Sequence, residues 1–292
     1  RDEAVSIMVD KANIAADTIK NNYDCCVAYY DEHLLEISIE QRRLLGEFEP
    51  ALQNDEFVMY LQPQVKRDGA AKGAEALVRW VHPSRGILTP YAFIDILENA
   101  GLIYKLDLYI WEKAAQKLAE WKEKGYGSYH ISVNISTKDF YIIDIYETFT
   151  GLINKYGIAA SNLHLEITET TLMTDFEKNM NIIHKLQGVG FRVEIDDFGS
   201  GYSSLNMLKD ISADVLKIDM GFLRKSENEV KGQDILESII TLAGKIGMDV
   251  ITEGVETKKQ LDMLTMMGCH EFQGYYFSKP VPVSEFEEKY LV

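Results

Sequence analysis

The stretch Gly190-Phe-Arg-Val-Glu-Ile-Asp-Asp-Phe-Gly-Ser-Gly201 decides how this chain is read. Phe191, Val193 and Ile195 alternate with Arg192, Glu194 and Asp196, the period-two pattern of a strand with two unlike faces. The run ends in two adjacent carboxylates, Asp196 and Asp197, and passes into Gly199-Ser200-Gly201, where the chain turns. Taken singly, such a stretch is either a solvated acidic turn or a cation site. Its recurrence along the chain favours the second.

Strands of a parallel α/β sheet are covered on both faces and are ordinarily apolar throughout. The strands here are not. Glu75, Leu77 and Arg79 share one face, with Ala74, Ala76 and Val78 on the other. Ser132, Asn134 and Ser136 alternate with Ile131, Val133 and Ile135; His164, Glu166 and Thr168 alternate with Leu163, Leu165 and Ile167. Lys217 and Asp219 alternate with Leu216 and Ile218, and Glu253 ends a strand on the face of Ile251. Helical stretches at 91–124, 139–156, 171–186, 203–209, 234–246 and 258–267 lie between the strands, with another from Ser284. The last strand is expected over Phe272–Phe277.

The apolar faces must meet those helices, so the polar faces line a barrel interior. Each polar group falls late in its strand, at the end where barrels carry their active sites. Phe57–Lys66 and Ala71–Trp80 are joined only by the turn around Arg67-Asp68-Gly69, which makes an antiparallel hairpin. The expected fold is therefore α/β, a TIM-like (β/α)8 barrel variant with the first strand antiparallel. An open antiparallel sheet with one wet face is the alternative, and the intervening helices argue against it. Upstream, residues 1–22 and His33–Leu52 read as helices, with a strand-like run over Tyr23–Tyr30.

Glu75, Glu166, Glu194, Asp196, Asp219 and Glu253 converge in that interior, Asp197 beside them, with Lys217 and Arg79 in opposition. Carboxylates this close cannot all ionise without cations, so either several are protonated or divalent metals neutralise them. Oxygen donors with one Asn and no Cys select hard ions, Mg²⁺ or Mn²⁺. Glu75, Asn134, Glu166 and Asp196 can hold one ion, and Asp196 with Asp197 a second. Paired ions about 4 Å apart suit phosphoester displacement. Lys217 can hold the attacking water or the phosphate, and Arg79 can pair with a phosphate in fork geometry.

Composition narrows the field. The chain has 292 residues and a net charge of −16, which argues against binding a nucleic-acid polymer. No apolar run is long enough for a membrane span. Three cysteines, two of them adjacent at Cys25 and Cys26, fit a reducing cytoplasm better than a disulfide framework. The chain opens at Arg1 without an initiator Met or a signal pattern, and is expected to be part of a longer protein, whose absent segments could anchor it to a membrane.

The motifs Gln62-Pro63, EALVRW, Asn134-Ile-Ser136, Glu166-Ile-Thr-Glu169, DDFGSG, Lys217-Ile-Asp219, Glu253-Gly-Val-Glu256 and Gln273-Gly274 together resemble the EAL family of cyclic di-GMP phosphodiesterases. The resemblance runs from about Leu44 to the C-terminus. It implies metal-dependent hydrolysis of one phosphodiester of cyclic di-GMP, giving linear pGpG. By that resemblance Glu75, Asn134, Glu166 and Asp196 match metal ligands, and Asp197 and Glu253 match contacts to a second ion. Lys217 and Glu253, with Glu75, form the catalytic set around the water. Gln62, Leu77, Arg79, Asp219 and Gln273 match the substrate side of the site. Glu169 matches a residue steadying the loop after Asp197, which commonly contributes to a homodimer, and Glu256 matches a supporting group. Gln64, Thr252 and Ser200 depart from commoner family residues without removing a ligand. His164, on the polar face, is read as packing.

Residues 1–43 resemble the end of an upstream GGDEF-like domain and its connector, leaving 44–292 as the EAL domain; sensory domains could lie further upstream. Two other functions are open to the sequence. One is a receptor that binds cyclic di-GMP without turnover. The other is a barrel lyase or isomerase using Lys217 beside one ion, which leaves the Asp196-Asp197 pair unexplained.

Overall fold

The computed structural model describes residues 5–19, 26–198, 211–219, 221 and 229–291. Helix α1 covers Val5–Asp17 and α2 covers Glu32–Gln53. The Asp31 side chain accepts from the Leu34 N–H at 2.9 Å and so caps the start of α2. Near its end, α2 buries Leu44, Phe48 and Ala51 against the barrel. Glu47 on the same helix lies 2.9 Å from His82 Nε2, which ties the helix to the first hairpin. Between the two helices, residues 26–31 take no regular structure, contrary to the strand expected over Tyr23–Tyr30. A strand is stable only when paired, and the described sheet does not include this segment. Tyr23 to Cys25 lie outside the described residues.

Strands β1 (Phe57–Lys66) and β2 (Ala71–His82) form the antiparallel hairpin over its whole length, with Gln62 opposite Glu75. Strands β4 (His130–Ile135), β5 (Leu163–Thr168), β6 (Val193–Asp196), β7 (Val215–Asp219) and β8 (Asp249–Glu253) then run parallel, each beside the one before. Strand β4 starts beside β2. Strand β9 (Glu271–Phe272) pairs with β8 in parallel and with β1 antiparallel, which closes the barrel. The closed ring is β1-β2-β4-β5-β6-β7-β8-β9, with β3 (Gly86–Leu88) and β10 (Val281–Pro282) added at its margins. This is the expected barrel with an antiparallel first strand.

The covering helices are α3 (Ile94–Ala100), α4 (Ile103–Glu123), α5 (Asp139–Ile142), α6 (Ile145–Tyr156), α7 (Glu169–Thr174), α8 (Phe176–Val189), α9 (Glu229–Lys245), α10 (Lys258–Met266) and α11 (Val283–Tyr290). Two single helices expected from periodicity are each divided. The first breaks at Ile143, where Asp144 caps α6 by accepting from the Glu147 N–H; the second breaks at Asp175. The helix expected over Ser203–Lys209 and the loop Gly199–Gly201 lie outside the described residues.

Leu163, Leu165, Ile167, Val193, Ile195, Leu216 and Ile218 are all buried in the core. At about 1.5–3 kcal/mol for each fully buried aliphatic side chain, this apolar layer is a main source of the barrel's stability. Polar side chains inside the ring are tolerated only where they pair. No described helix is long and apolar enough to cross a membrane.

Candidate active site

Strand register assembles the site. Glu75 on β2 sits across from Gln62 of β1 and beside Ser132 of β4. Asn134 of β4 is level with Glu166 of β5, Thr168 of β5 with Asp196 of β6, and Asp219 of β7 with Glu253 of β8. Side chains two residues apart share a face, so these groups ring the C-terminal mouth.

Lys217, wholly buried, stands among them. Its Nζ lies 2.8 Å from Glu253 Oε1, 2.9 Å from Glu166 Oε2, and 3.5 Å from both Glu75 Oε2 and Asp196 Oδ1. The attraction of this one ammonium for four carboxylates holds the ring together. Glu75 is fixed from two further sides: Asn134 Nδ2 donates to Oε1 at 3.1 Å and Gln273 Nε2 to Oε2 at 2.5 Å. Gln273 Nε2 also lies 3.3 Å from Gln62 Oε1, and Gln62 Nε2 donates to the Ser278 carbonyl at 3.3 Å. Behind Asn134, the Trp111 indole donates to its carbonyl at 2.9 Å.

One ammonium cannot balance four carboxylates, and the titration of the ring reflects that. Burial would depress Lys217, but the fields of Asp196, Glu166, Glu253 and Glu75 outweigh it and hold the amine well above its ordinary range. Burial pushes Glu253 up to about 8, with Asp196 and Glu75 adding to it against the pull of Lys217. Glu166 is raised well above its ordinary value by burial and then by Glu75. Glu166 Oε1 is buried without a donor, and Glu166 Oε2, Asp196 Oδ1 and Glu253 Oε1 all share the one ammonium of Lys217. Crowded carboxylate oxygens of this kind, with the Asn134 amide on Glu75, are a donor set for hard divalent cations.

The structure brings Glu75, Asn134, Glu166, Asp196, Lys217, Glu253, Gln62 and Gln273 together at the mouth. Asp197 is exposed beside them with φ at +56°, a left-handed conformation that ends β6 sharply. Burial, then Asp196 and Asp219, raise its carboxyl. Asp219 is exposed at the rim, outside the Lys217 contacts. Arg79 lies half-buried over the Tyr60 ring at 5.4 Å and donates from Nη1 to the Val78 carbonyl at 2.8 Å. Glu169 opens α7, half-buried, and the loop it was expected to steady lies outside the described residues. Glu256 is exposed, and its backbone N–H donates to Gln260 Oε1 at 2.9 Å.

Two expectations need correction. Glu194 does not belong to the mouth. Its side chain lies one layer lower, paired with His164 Nδ1 at 2.6 Å, and that partner more than offsets burial and holds the carboxyl at about 2. Alternation assigned its face correctly but could not assign its depth. The last strand also ends at Phe272, not Phe277, because Gly274 turns the chain away at φ +154°. A Cβ at Gly274 would lie 2.3 Å from the Val255 carbonyl oxygen. Gly274→Ala is therefore expected to cost at least about 2 kcal/mol and to displace Gln273. Denaturant unfolding beside a rate assay measures both, and a variant of wild-type stability would contradict the close approach.

The sequence reading missed an acid pair beside the mouth. Asp139 is buried; its Oδ2 accepts from the Ser136 N–H and Oγ at 2.8 and 2.9 Å, and its side chain pairs with that of Asp107. Burial, then Asp139, keep Asp107 protonated well above the ordinary range. A cavity of about 290 Å³ next to the pair is lined by Leu77, Asn134, Thr168, Glu98 and Asp107. The available signal was an acid within the apolar run of α4, between Leu106 and Ile110.

A family model described as EAL domain matches residues 46–280. The chain is 32% identical over 272 residues to the bifunctional diguanylate cyclase/cyclic di-GMP phosphodiesterase MucR of Pseudomonas aeruginosa, covering 93% of this chain and 39% of that protein. It is 33% identical over 240 residues to the cyclic di-GMP phosphodiesterase PdeR of Escherichia coli, covering 82% of this chain and 36% of that one. The chain thus spans well under half the length of these relatives. Among solved structures, the MucR phosphodiesterase in complex with c-di-GMP superposes with a TM-score of 0.79 at 33% identity, over 84% of this chain and 99% of that one. The EAL enzyme Bd1971, bound to cAMP and cyclic di-GMP, gives 0.80 at 28% identity, over 99% and 76%.

Proposed function

The chain belongs to the EAL domain family, and from that premise and the geometry of the mouth we propose that it hydrolyses cyclic di-GMP to linear pGpG. The observation that carries this reading is the ring of four carboxylates, Glu75, Glu166, Asp196 and Glu253, that the single buried ammonium of Lys217 holds together without balancing their charge. Glu75, Asn134, Glu166 and Asp196 would hold one Mg²⁺ or Mn²⁺, and Asp196, Asp197 and Glu253 a second. When bound, such ions supply an activated water and neutralise charge building on the phosphoryl oxygens.

The chain's own residues do the rest. Lys217 holds the carboxylates in place and faces the developing negative charge. Glu253, held 2.8 Å from Lys217 at the mouth, takes the proton of the attacking water. Arg79, Gln62 and Leu77 lie along the strand pair bordering the ring and orient the dinucleotide, with Asp219 at the opposite rim. One P–O ester bond breaks, the water oxygen joins phosphorus, and the leaving 3′ oxygen is protonated.

We extend the reading to the whole protein. Residues 1–43 end an upstream GGDEF-like domain, 44–292 form the hydrolase, and the domain works in the cytoplasm as a homodimer. Incubation with cyclic di-GMP and Mg²⁺ or Mn²⁺, with products separated chromatographically, tests the activity. Appearance of pGpG supports it; tight binding without product would make the domain a receptor, and no binding would reject the substrate.

The pH dependence of cation binding follows from Glu253. Between the ordinary 4.5 and about 8, the folded protein holds a proton that the unfolded chain has lost. Without cations, this group therefore makes the fold less stable as pH rises across that window. A cation must displace the proton, so Mg²⁺ affinity is expected to fall by about tenfold per unit below pH 8 through this group. Calorimetric titration in buffers of different ionisation heat would show proton release; a pH-independent affinity would contradict the assignment.

A further inference from the structure

The floor of the barrel, opposite the mouth, holds a second group of chemistry-bearing side chains. His130 opens β4, and His164 and Glu194 are the second residues of β5 and β6. All three are buried. His164 Nδ1 faces Glu194 Oε1 at 2.6 Å, Nε2 faces the Ser161 carbonyl at 3.2 Å, and Ser132 Oγ donates to the same Glu194 oxygen at 3.2 Å. The other oxygen, Glu194 Oε2, is buried with no donor. The His130 ring stacks on His164 with centroids 3.8 Å apart and planes within 4°. Its other face lies against Gly73, where a Cβ would come within 2.4 Å of the ring. Its Nε2 lies 2.7 Å from Gln64 Oε1.

One ligand atom from each of His130, His164 and Glu194 lies within 4.8 Å of the other two. A cavity of about 490 Å³ leads from them towards solvent. The cations on its rim are already spent: Lys72 pairs with Glu271, and Arg192 with Asp249 at 2.6 Å. An entering cation therefore meets no unpaired positive charge from these two.

We propose that this floor cluster is a metal site separate from the mouth, which takes a nitrogen-preferring divalent ion of the Zn²⁺ or Co²⁺ kind. Two imidazoles and one carboxylate are the donors such ions select, whereas the all-oxygen mouth suits Mg²⁺ or Mn²⁺. Glu194 Oε2 can ligate without giving up a bond. The stacked rings hold their lone pairs in parallel planes, so His164 turns about its Cβ–Cγ bond on binding. It exchanges its contacts with Ser161 and Glu194 Oε1 for the metal bond, and any proton on the ligating nitrogen leaves through the cavity. The adjoining cavity leaves room for water as a further ligand.

The test is titration of the wild-type domain with Co²⁺ in the presence of excess Mg²⁺, which occupies the oxygen sites. The expected result is a single tight ion with the visible absorption of a four-coordinate nitrogen–oxygen site, displaced by Zn²⁺. His130→Ala and His164→Ala should each lower Co²⁺ affinity by about tenfold or more. Should those variants fail to fold, ring-nitrogen spectra of the labelled wild-type protein decide, with the buried rings recognised by protection from solvent exchange and the third of them, His82, identified by its loss in His82→Gln. Zn²⁺ is expected to shift the resonances of those two rings. Absence of any shift, or shifts confined to His82 and the exposed His33, His184 and His270, would overturn the proposal.

Discussion

Glu75→Ala is expected to abolish hydrolysis of cyclic di-GMP while leaving the barrel folded. Glu75 is the residue on which Asn134 and Gln273 both converge, and it faces Lys217. Removing it takes away a cation ligand and frees both amides at once. Loss of a supporting partner in a metal site costs about 10–100-fold, and loss of a ligand that also orders its neighbours is expected to reach roughly 10³-fold or more in turnover. Stability in the absence of cations should hardly fall, because one member of a crowded acidic ring has gone. Initial rates at saturating Mg²⁺, set beside a thermal melt, separate the two effects. A variant with near wild-type turnover would remove Glu75 from the machinery and, with it, the proposed reaction.

Lys217→Met tests the same ring from its positive side. Breaking a buried ion pair costs about 3–5 kcal/mol, because the partner charge is stranded. Here four carboxylates lose their shared cation, and relief comes either from protonation or from a bound ion. The variant is expected to be destabilised by that amount in chelator and to regain part of it in Mg²⁺, with turnover still lost. If the loss were the same with and without Mg²⁺, the ions would not be entering this ring.

The barrel was legible because alternation is a local signal. Ile131, Val133 and Ile135 against Ser132 and Asn134 give the inward and outward faces, and Arg67-Asp68-Gly69 gives the reversed first strand. Depth was not legible. Glu194 and Asp196 share a face and are two residues apart, yet one joins the His164 pair and the other the Lys217 ring. Only the stagger between neighbouring strands separates those layers. His164 shows the same limit: it was read as packing, and its partners on β4 and β6 are distant in sequence. Gly274 was read as part of a strand because the steric demand comes from Val255, across a turn and a helix. The Asp107–Asp139 pair was missed because its acids come from different helices and declare themselves only when their side chains are seen to pair.

The closure of the ring also bears on how the protein is made. β1 finds its partners both in β2 and in the last strands, Val65 against Phe272 and Leu61 against Val281. A chain emerging from the ribosome therefore carries an incomplete barrel until residues near 282 are free of the exit tunnel. Until then β1 and β8 present bare hydrogen-bonding edges, the feature that seeds association between nascent chains. Gln273, which steadies Glu75, arrives with that same final segment. A product truncated before it would be a ring without its seam and without a finished site, more prone to aggregate than to retain reduced activity.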